Sequence, residues 1–151
     1  MALGLAWVAL AAGCGSGDDP GPKATGPSQL AHAERSLQAE LEAAAEHLGM
    51  TPEPGERGAP TRCNDRPAGE LTSGYRLRLK LSKGDAERLL DRAEGFWRER
   101  GRQVRVVGPK GAFPAVFATA DPGWTFSLQL FPERGEALLS GGTPCLPAPK
   151  A

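Results

Sequence analysis

Hydrophobic residues recur at helical spacing in two stretches of the chain. Residues 28–48 place their larger apolar side chains along one stripe, formed by Leu30, Leu37, Leu41, Ala44, Ala45 and Leu48. Residues 82–100 contain a second stripe, formed by Ala86, Leu89, Leu90, Ala93 and Trp97, with Phe96 at its edge. Ser28 can cap the first helix, and Ser82 and Asp85 have the spacing of a capping box for the second. The pattern therefore predicts two amphipathic helices.

Alternation of apolar and polar residues predicts strands in the rest of the chain. Residues 70–81 show it best, because apolar Tyr75, Leu77, Leu79 and Leu81 alternate with basic Arg76, Arg78 and Lys80. Four later strands are predicted at 103–107, 115–119, 124–131 and 136–140, separated by short turns rich in glycine and proline. Residues 51–69 hold prolines, charged residues and Cys63, which is typical of a surface loop.

Turns as short as these favour antiparallel neighbours. The predicted fold class is α+β, with an antiparallel sheet of four to five strands and two helices packed on one of its faces. The elements follow the order α-β-α-β-β-β-β. The chain length suits one domain, which we assign to residues 28–147, followed by a short tail at 148–151.

The N-terminal stretch has the features of an export signal. Residues 1–12 carry no charged side chain, and the run is shorter than the roughly 20 apolar residues that a membrane-spanning helix needs. The following segment, Leu10-Ala11-Ala12-Gly13-Cys14, resembles the lipobox of bacterial lipoproteins. In that family the peptide is cut before the cysteine, whose thiol is diacylated. The resemblance implies a signal peptide at 1–13 and a lipid on Cys14.

The residues after Cys14 predict a flexible tether up to residue 27. They are rich in glycine, proline, aspartate and serine, and no apolar side chain among them is larger than alanine. Two other interpretations of the N-terminus stay open from the sequence. The first is that residues 1–12 form a hydrophobic helix of a cytoplasmic protein. The second is that they direct ordinary secretion, with cleavage after Ala11.

Cysteine arithmetic favours lipidation over plain secretion. The chain has three cysteines, and an odd count leaves one thiol unexplained in an oxidising compartment. Assigning Cys14 to the lipid leaves Cys63 and Cys145 as a predicted disulfide, a bond that exported chains keep and cytosolic chains mostly lack. The alternative is that both are free buried thiols.

Composition gives no indication of a charged macromolecular partner or of catalysis. Lysine plus arginine and aspartate plus glutamate number 18 each, so no nucleic-acid partner is expected. Sequence motifs of serine hydrolases, zinc proteases, nucleotide-binding loops and paired C-x-x-C sites are absent. We therefore predict a non-enzymatic protein with no catalytic residues, metal or cofactor. A hydrolase that uses carboxylates in an unrecognised arrangement stays as an alternative.

One set of residues has the chemistry of a binding site. If the apolar residues of 70–81 face the helices, Arg76, Arg78 and Lys80 share the opposite face of the sheet. We predict that Arg105 lies near them, with Thr125, Ser127 and Gln129 as polar neighbours. Arginines bind phosphate and carboxylate groups through paired hydrogen bonds. The alternative is a solvated outer face, on which long side chains shield the sheet.

The order of these features resembles that of small actinobacterial lipoproteins. The lipobox, the tether, the first helix, a loop cysteine and the ending Gly141-Gly142-Thr143-Pro144-Cys145-Leu146-Pro147 are similar to the mycobacterial LppA-like lipoproteins. The resemblance implies a surface lipoprotein anchored on the extracytoplasmic face of the cell membrane. We expect a binding or interaction module whose partner is an anionic envelope polymer or a membrane protein. An accessory subunit of a membrane complex is the alternative.

Overall fold

The computed structural model describes residues 26–64, 69–108 and 113–148. The predicted signal peptide, the lipidation site Cys14 and the tether up to residue 25 lie outside the described residues. So does most of the predicted tail, at 149–151. Among the described residues, no helix is long and apolar enough to cross a membrane.

Both predicted helices are present, with different starts. Helix α1 spans Gly26–His47, so Ser28 lies inside the helix and not at the position before its first residue, where it was predicted. Helix α2 spans Ala86–Glu99, four residues shorter at its start than predicted. Gly84 has a φ of 89°, which ends any helical path from Ser82, and the backbone N–H of Asp85 donates to the Ser82 carbonyl at 3.2 Å. The predicted capping box is therefore wrong.

In the part of the chain that the structure describes, nine strands form two antiparallel sheets. They are β1 (Glu56–Arg57), β2 (Thr61–Arg62), β3 (Glu70–Thr72), β4 (Gly74–Lys80), β5 (Gln103–Val107), β6 (Ala115–Ala120), β7 (Trp124–Phe131), β8 (Glu136–Gly142) and β9 (Leu146–Pro147), with a 3-10 turn at Pro132–Arg134. The larger sheet has the order β1-β4-β8-β7-β6-β5, and the smaller has the order β2-β3-β9. The α+β class and the β5-to-β8 meander are confirmed, whereas the strand count is larger than predicted.

The additional strands come from two corrections. Residues 51–69 are not purely a loop, because β1 pairs with β4 and β2 pairs with β3. The predicted strand 70–81 is divided at Ser73, where the chain passes from the smaller sheet to the larger one. Buried Ser73 donates its N–H to Thr143 Oγ1 at 3.0 Å, and its carbonyl accepts from the Thr143 N–H at 2.9 Å. These bonds satisfy the backbone where the two sheets meet.

The hydrophobic core lies between the helices and one face of the larger sheet. Leu37 and Leu41 of α1 and Trp97 of α2 are buried against inward-facing residues of β4, β6, β7 and β8. Gly141 lets α1 come close, because a Cβ there would lie 2.6 Å from the Thr125 carbonyl and 2.7 Å from Leu37 Cδ1. Burial raises the pKa of Tyr75 in this core, and the nearby Glu42 carboxylate adds to the rise.

A disulfide joins Cys63 to Cys145, as the cysteine count predicted. The two residues are 82 positions apart, and each borders a strand of the smaller sheet: Cys63 follows β2 and Cys145 precedes β9. The bond therefore links the proline-rich segment to the end of the chain, next to the point where the larger sheet begins.

Candidate anion-binding face

The second face of the larger sheet, called the open face here, points away from both helices. On β4 the side chains of Tyr75, Leu77 and Leu79 are buried, whereas Arg76, Arg78 and Lys80 are exposed. Strand register carries this alternation across the sheet. Arg76 lies opposite Ser140, Arg78 opposite Leu138 and Lys80 opposite Glu136. The three basic residues thus share the open face, as their spacing predicted.

Glu56 of β1 partly neutralises two of these cations. Its carboxylate oxygens lie 4.0 Å from Arg76 Nε and 3.7 Å from Arg78 Nε, and all three side chains are about half exposed. Ion pairs this exposed contribute roughly 0–1 kcal/mol. Both contacts use Nε, so the terminal guanidinium nitrogens of Arg76 and Arg78 stay available to a ligand.

Arg134, which the sequence did not single out, joins this pair. It ends the 3-10 turn between β7 and β8, and with Arg76 and Arg78 it borders a groove of about 190 Å³. The remaining lining is Phe131, Glu136, Ala137 and Leu138. We call this depression the arginine groove. Three guanidinium groups around an apolar floor can bind a phosphate or carboxylate through several charge-assisted hydrogen bonds.

Aromatic side chains continue the groove toward the meander. The Arg134 guanidinium carbon lies 5.6 Å from the centre of the Phe131 ring, a cation–π arrangement. Phe113 packs edge-on against Phe131 at 6.0 Å and is 62% exposed. An exposed phenyl ring beside arginines offers contact to the apolar faces of a ligand that also carries negative charge.

Polar residues occupy the middle of the open face, as predicted. The register of β7 with β8 places Ser127 opposite Ser140 and Gln129 opposite Leu138, with Thr125 at the end of the row. The two serine hydroxyl oxygens are 2.9 Å apart and share a hydrogen bond. These residues link the arginine groove to the other half of the face but place no charge on it.

Two of the predicted site residues lie outside the arginine groove. Arg105 is on β5, four strands from β4, which corresponds to about 19 Å at the usual strand spacing. The prediction that it lies near Arg76 is therefore wrong, because β4 pairs with β8 and the connection through α2 puts β5 at the far edge. Lys80 borders a separate groove of about 420 Å³ with Ser82, Asp85 and Arg88.

The described grooves do not bring carboxylates together. The four of them contain at most one acidic side chain each, Glu136 in the arginine groove and Asp85 beside Lys80. Among the residues that the structure describes, no group of three histidine, cysteine or acidic residues has the geometry of a metal site. The arginine groove instead gathers three guanidinium groups, which can donate hydrogen bonds to an anion.

The fold and this face define a small disulfide-bonded α+β domain with a basic groove on the sheet face that neither helix covers. Comparison of the chain with family models, with curated proteins and with solved structures finds no match.

Proposed function

We propose that the protein is a membrane-anchored cell-envelope lipoprotein whose domain binds an anionic envelope polymer through the arginine groove. The observation that carries the proposal is the convergence of Arg76, Arg78 and Arg134 around Leu138 and Phe131. The anchor rests on the lipobox-like segment that ends at Cys14. The cysteine count supports it, because the disulfide between Cys63 and Cys145 leaves only Cys14 without a partner among the three cysteines.

The direction of α1 indicates where the groove lies relative to the tether. In its first half, Glu34 pairs with Arg57 at 3.1 Å, and just after its last residue Leu48 borders the same groove as Lys80. The 22-residue helix is about 33 Å long. The arginine groove lies at the Lys80 end of the sheet, because the Gly135 carbonyl next to Arg134 accepts from the Leu81 N–H at 2.8 Å. With a lipid on Cys14, the tether joins the domain at the start of α1, and the arginine groove lies at the other end of the domain.

This separation between the tethered end of the domain and the groove favours a polymer of the envelope over the headgroups of the protein's own membrane. A polymer carrying repeated phosphate or carboxylate groups can contact Arg76, Arg78 and Arg134 at once, whereas its sugar or alkyl portions contact Phe131 and Phe113. Multiple weak contacts along one chain raise the overall affinity through effective concentration. Binding should weaken with salt, since the groove is solvent-exposed.

Charge reversal in the groove tests the binding function. We expect the double substitution Arg78→Glu and Arg134→Glu to weaken binding to a phosphate-bearing wall polysaccharide at least tenfold, because it replaces two hydrogen-bond donors by repelling carboxylates. Cosedimentation at several salt concentrations measures this loss. The matched control is Arg62→Glu with Lys83→Glu, which makes the same change in net charge at exposed positions outside the groove. Equal binding by both doubles would contradict the proposal.

The anchor has a separate test. Mass spectrometry of membrane fractions should find a mature N-terminus at Cys14 with the added mass of acyl chains. Cys14→Ala should move the protein out of the membrane fraction or leave it uncleaved, while the purified domain keeps its polymer binding. A mature chain that keeps residues 1–13, or carries no acyl mass, would exclude the lipoprotein assignment. It would not affect the test of polymer binding by the arginine groove.

A further inference from the structure

The two lateral edges of the larger sheet are protected very differently. Along the β4 edge, the Gly58 N–H donates to the Gly74 carbonyl and the Glu53 N–H donates to the Arg78 carbonyl, each at 2.9 Å. Between these bonds β1 pairs with β4, so residues 52–58 cover that edge along its length. The opposite edge is β5, which pairs only with β6 among the strands of the described residues.

The hydrogen-bond alternation shows which groups of β5 face outward. The Leu130 N–H donates to the Pro114 carbonyl, and in an antiparallel ladder directly opposite residues exchange hydrogen bonds at every second pair. Every second residue of β6 from Val116 on therefore bonds to β7, and Ala115, Phe117 and Thr119 bond to β5. Their partners are Val107, Arg105 and Gln103.

Val104 and Val106 consequently direct their backbone N–H and C=O groups away from the sheet. In the part of the chain that the structure describes, no backbone bond outside the strand ladders involves either residue. Val106 is 40% exposed, and the strand has no proline or bulge that would block pairing. An edge with these properties is a template for another strand.

We propose that the β5 edge binds an extended segment of a partner protein in which an acidic residue is flanked by apolar residues. The apolar positions would lie beside Val104 and Val106 on the helix side of the sheet. The acidic position would lie opposite Arg105 on the open face. This inference goes beyond polymer binding and uses the opposite edge of the sheet.

Arg105 is positioned for this contact. Its guanidinium carbon lies 5.0 Å from the centre of the Phe117 ring, which holds the charge above the open face. Beside it is a groove of about 480 Å³, lined on that side by Gln103, Phe117, Thr119 and Thr125. None of these neighbours is acidic, and no ion pair within the described residues involves Arg105. A carboxylate on an added strand would supply its missing partner.

The same charge argues against a second copy of this chain as the occupant. Antiparallel pairing of β5 with itself, centred on Val104, Arg105 or Val106, brings the two Arg105 side chains to opposite or diagonal positions on one face. Like charges at such positions destabilise a strand pair. A partner with a complementary carboxylate avoids this repulsion.

The proposal can be tested by phage display. A random library of 12-residue peptides, about the length of two strands, is selected for binding to the full chain. We expect enriched peptides to alternate apolar and other residues around a central aspartate or glutamate. Their binding should fall about tenfold with Val106→Pro, which removes one outward N–H at a position where an edge strand tolerates proline. Val106→Ala is the matched control, because it keeps the N–H, and should change binding no more than about threefold.

Arg105→Glu should transfer the preference to peptides with a central lysine or arginine. If the proline variant does not fold, a bound peptide with N-methylated backbone nitrogens replaces it. Methylation at the alternate residues whose N–H groups face β5 should abolish binding, and methylation at the residues between them should not. No enrichment, enrichment without the acidic position, or equal binding by the proline variant would overturn the proposal. A dimer in sedimentation that Val106→Pro dissociates would also overturn it, in favour of self-pairing.

Discussion

Replacing Trp97 by alanine should lower the free energy of unfolding by about 3–5 kcal/mol, the usual cost of removing a buried tryptophan or phenylalanine side chain. Trp97 has 0% exposure and stacks against Phe126 with ring centres 6.3 Å apart. It also meets Phe96 edge-on at 6.2 Å, so its loss opens a cavity between α2 and the sheet. For a domain of this size the melting temperature should fall by roughly 10–20 °C. Urea unfolding with linear extrapolation measures the change.

Trp97→Phe provides the matched comparison. Among the residues that the structure describes, the buried indole Nε1 of Trp97 has no hydrogen-bond partner, so its removal leaves none of them unsatisfied. We expect phenylalanine to cost less than half of what alanine costs, because mainly volume is lost. A phenylalanine variant as unstable as the alanine variant would show that Nε1 makes an essential hydrogen bond. An alanine variant within about 1 kcal/mol of the native chain would show that Trp97 is not part of the core.

Local pattern predicted most of the regular structure. The segments 74–80 and 124–131 bury most of one face and, apart from buried Ser127, expose or half-bury the other, so their period of two is visible in the sequence. The two-residue strands β1 and β2 are not visible, because prolines and charged residues surround them and pairing with β4 and β3 determines their conformation. The turn at Gly84 likewise overrides a plausible capping sequence.

The candidate site was predictable to the extent that alternation defines a face. Alternation placed Arg76, Arg78 and Arg105 on the same side of the sheet, which the structure shows. Their lateral separation depends on strand order, and the pairing of β4 with β8 joins residues about 60 positions apart, which no local pattern reveals. For the same reason Arg134 was missed: a turn residue becomes a neighbour of Arg78 only through that pairing.

The disulfide should be nearly as important to stability as the core. Replacing both Cys63 and Cys145 by serine opens a loop of 82 residues, for which the chain-entropy model gives a loss of about 4–5 kcal/mol. The stability of the smaller sheet should depend especially on this disulfide. Its strands β2 and β9 have two residues each, and each pairs with β3 through two residue pairs. Pairs this short form few hydrogen bonds of their own.

The loss should therefore have a global part and a local part. Urea unfolding should show the lower stability, and amide hydrogen exchange should show that β2 and β9 lose protection before β7 and β8 do. The smaller sheet also carries the Ser73–Thr143 bonds that lead into β4, so its opening should extend to that end of the larger sheet and leave the arginine groove at the opposite end intact. The serine variant should accordingly keep its affinity for the anionic polymer at temperatures where it is folded.

Reduction of the native chain supplies the internal control. A thiol reductant should lower the stability of the native protein to that of the double-serine variant, and it should leave the variant unchanged, because the variant has no disulfide to lose. If the reductant has no effect on the native chain, Cys63 and Cys145 are not bonded in solution. If the reduced chain is less stable than the variant, the free thiols themselves disturb the smaller sheet, and single Cys63→Ser and Cys145→Ser substitutions will show which one does.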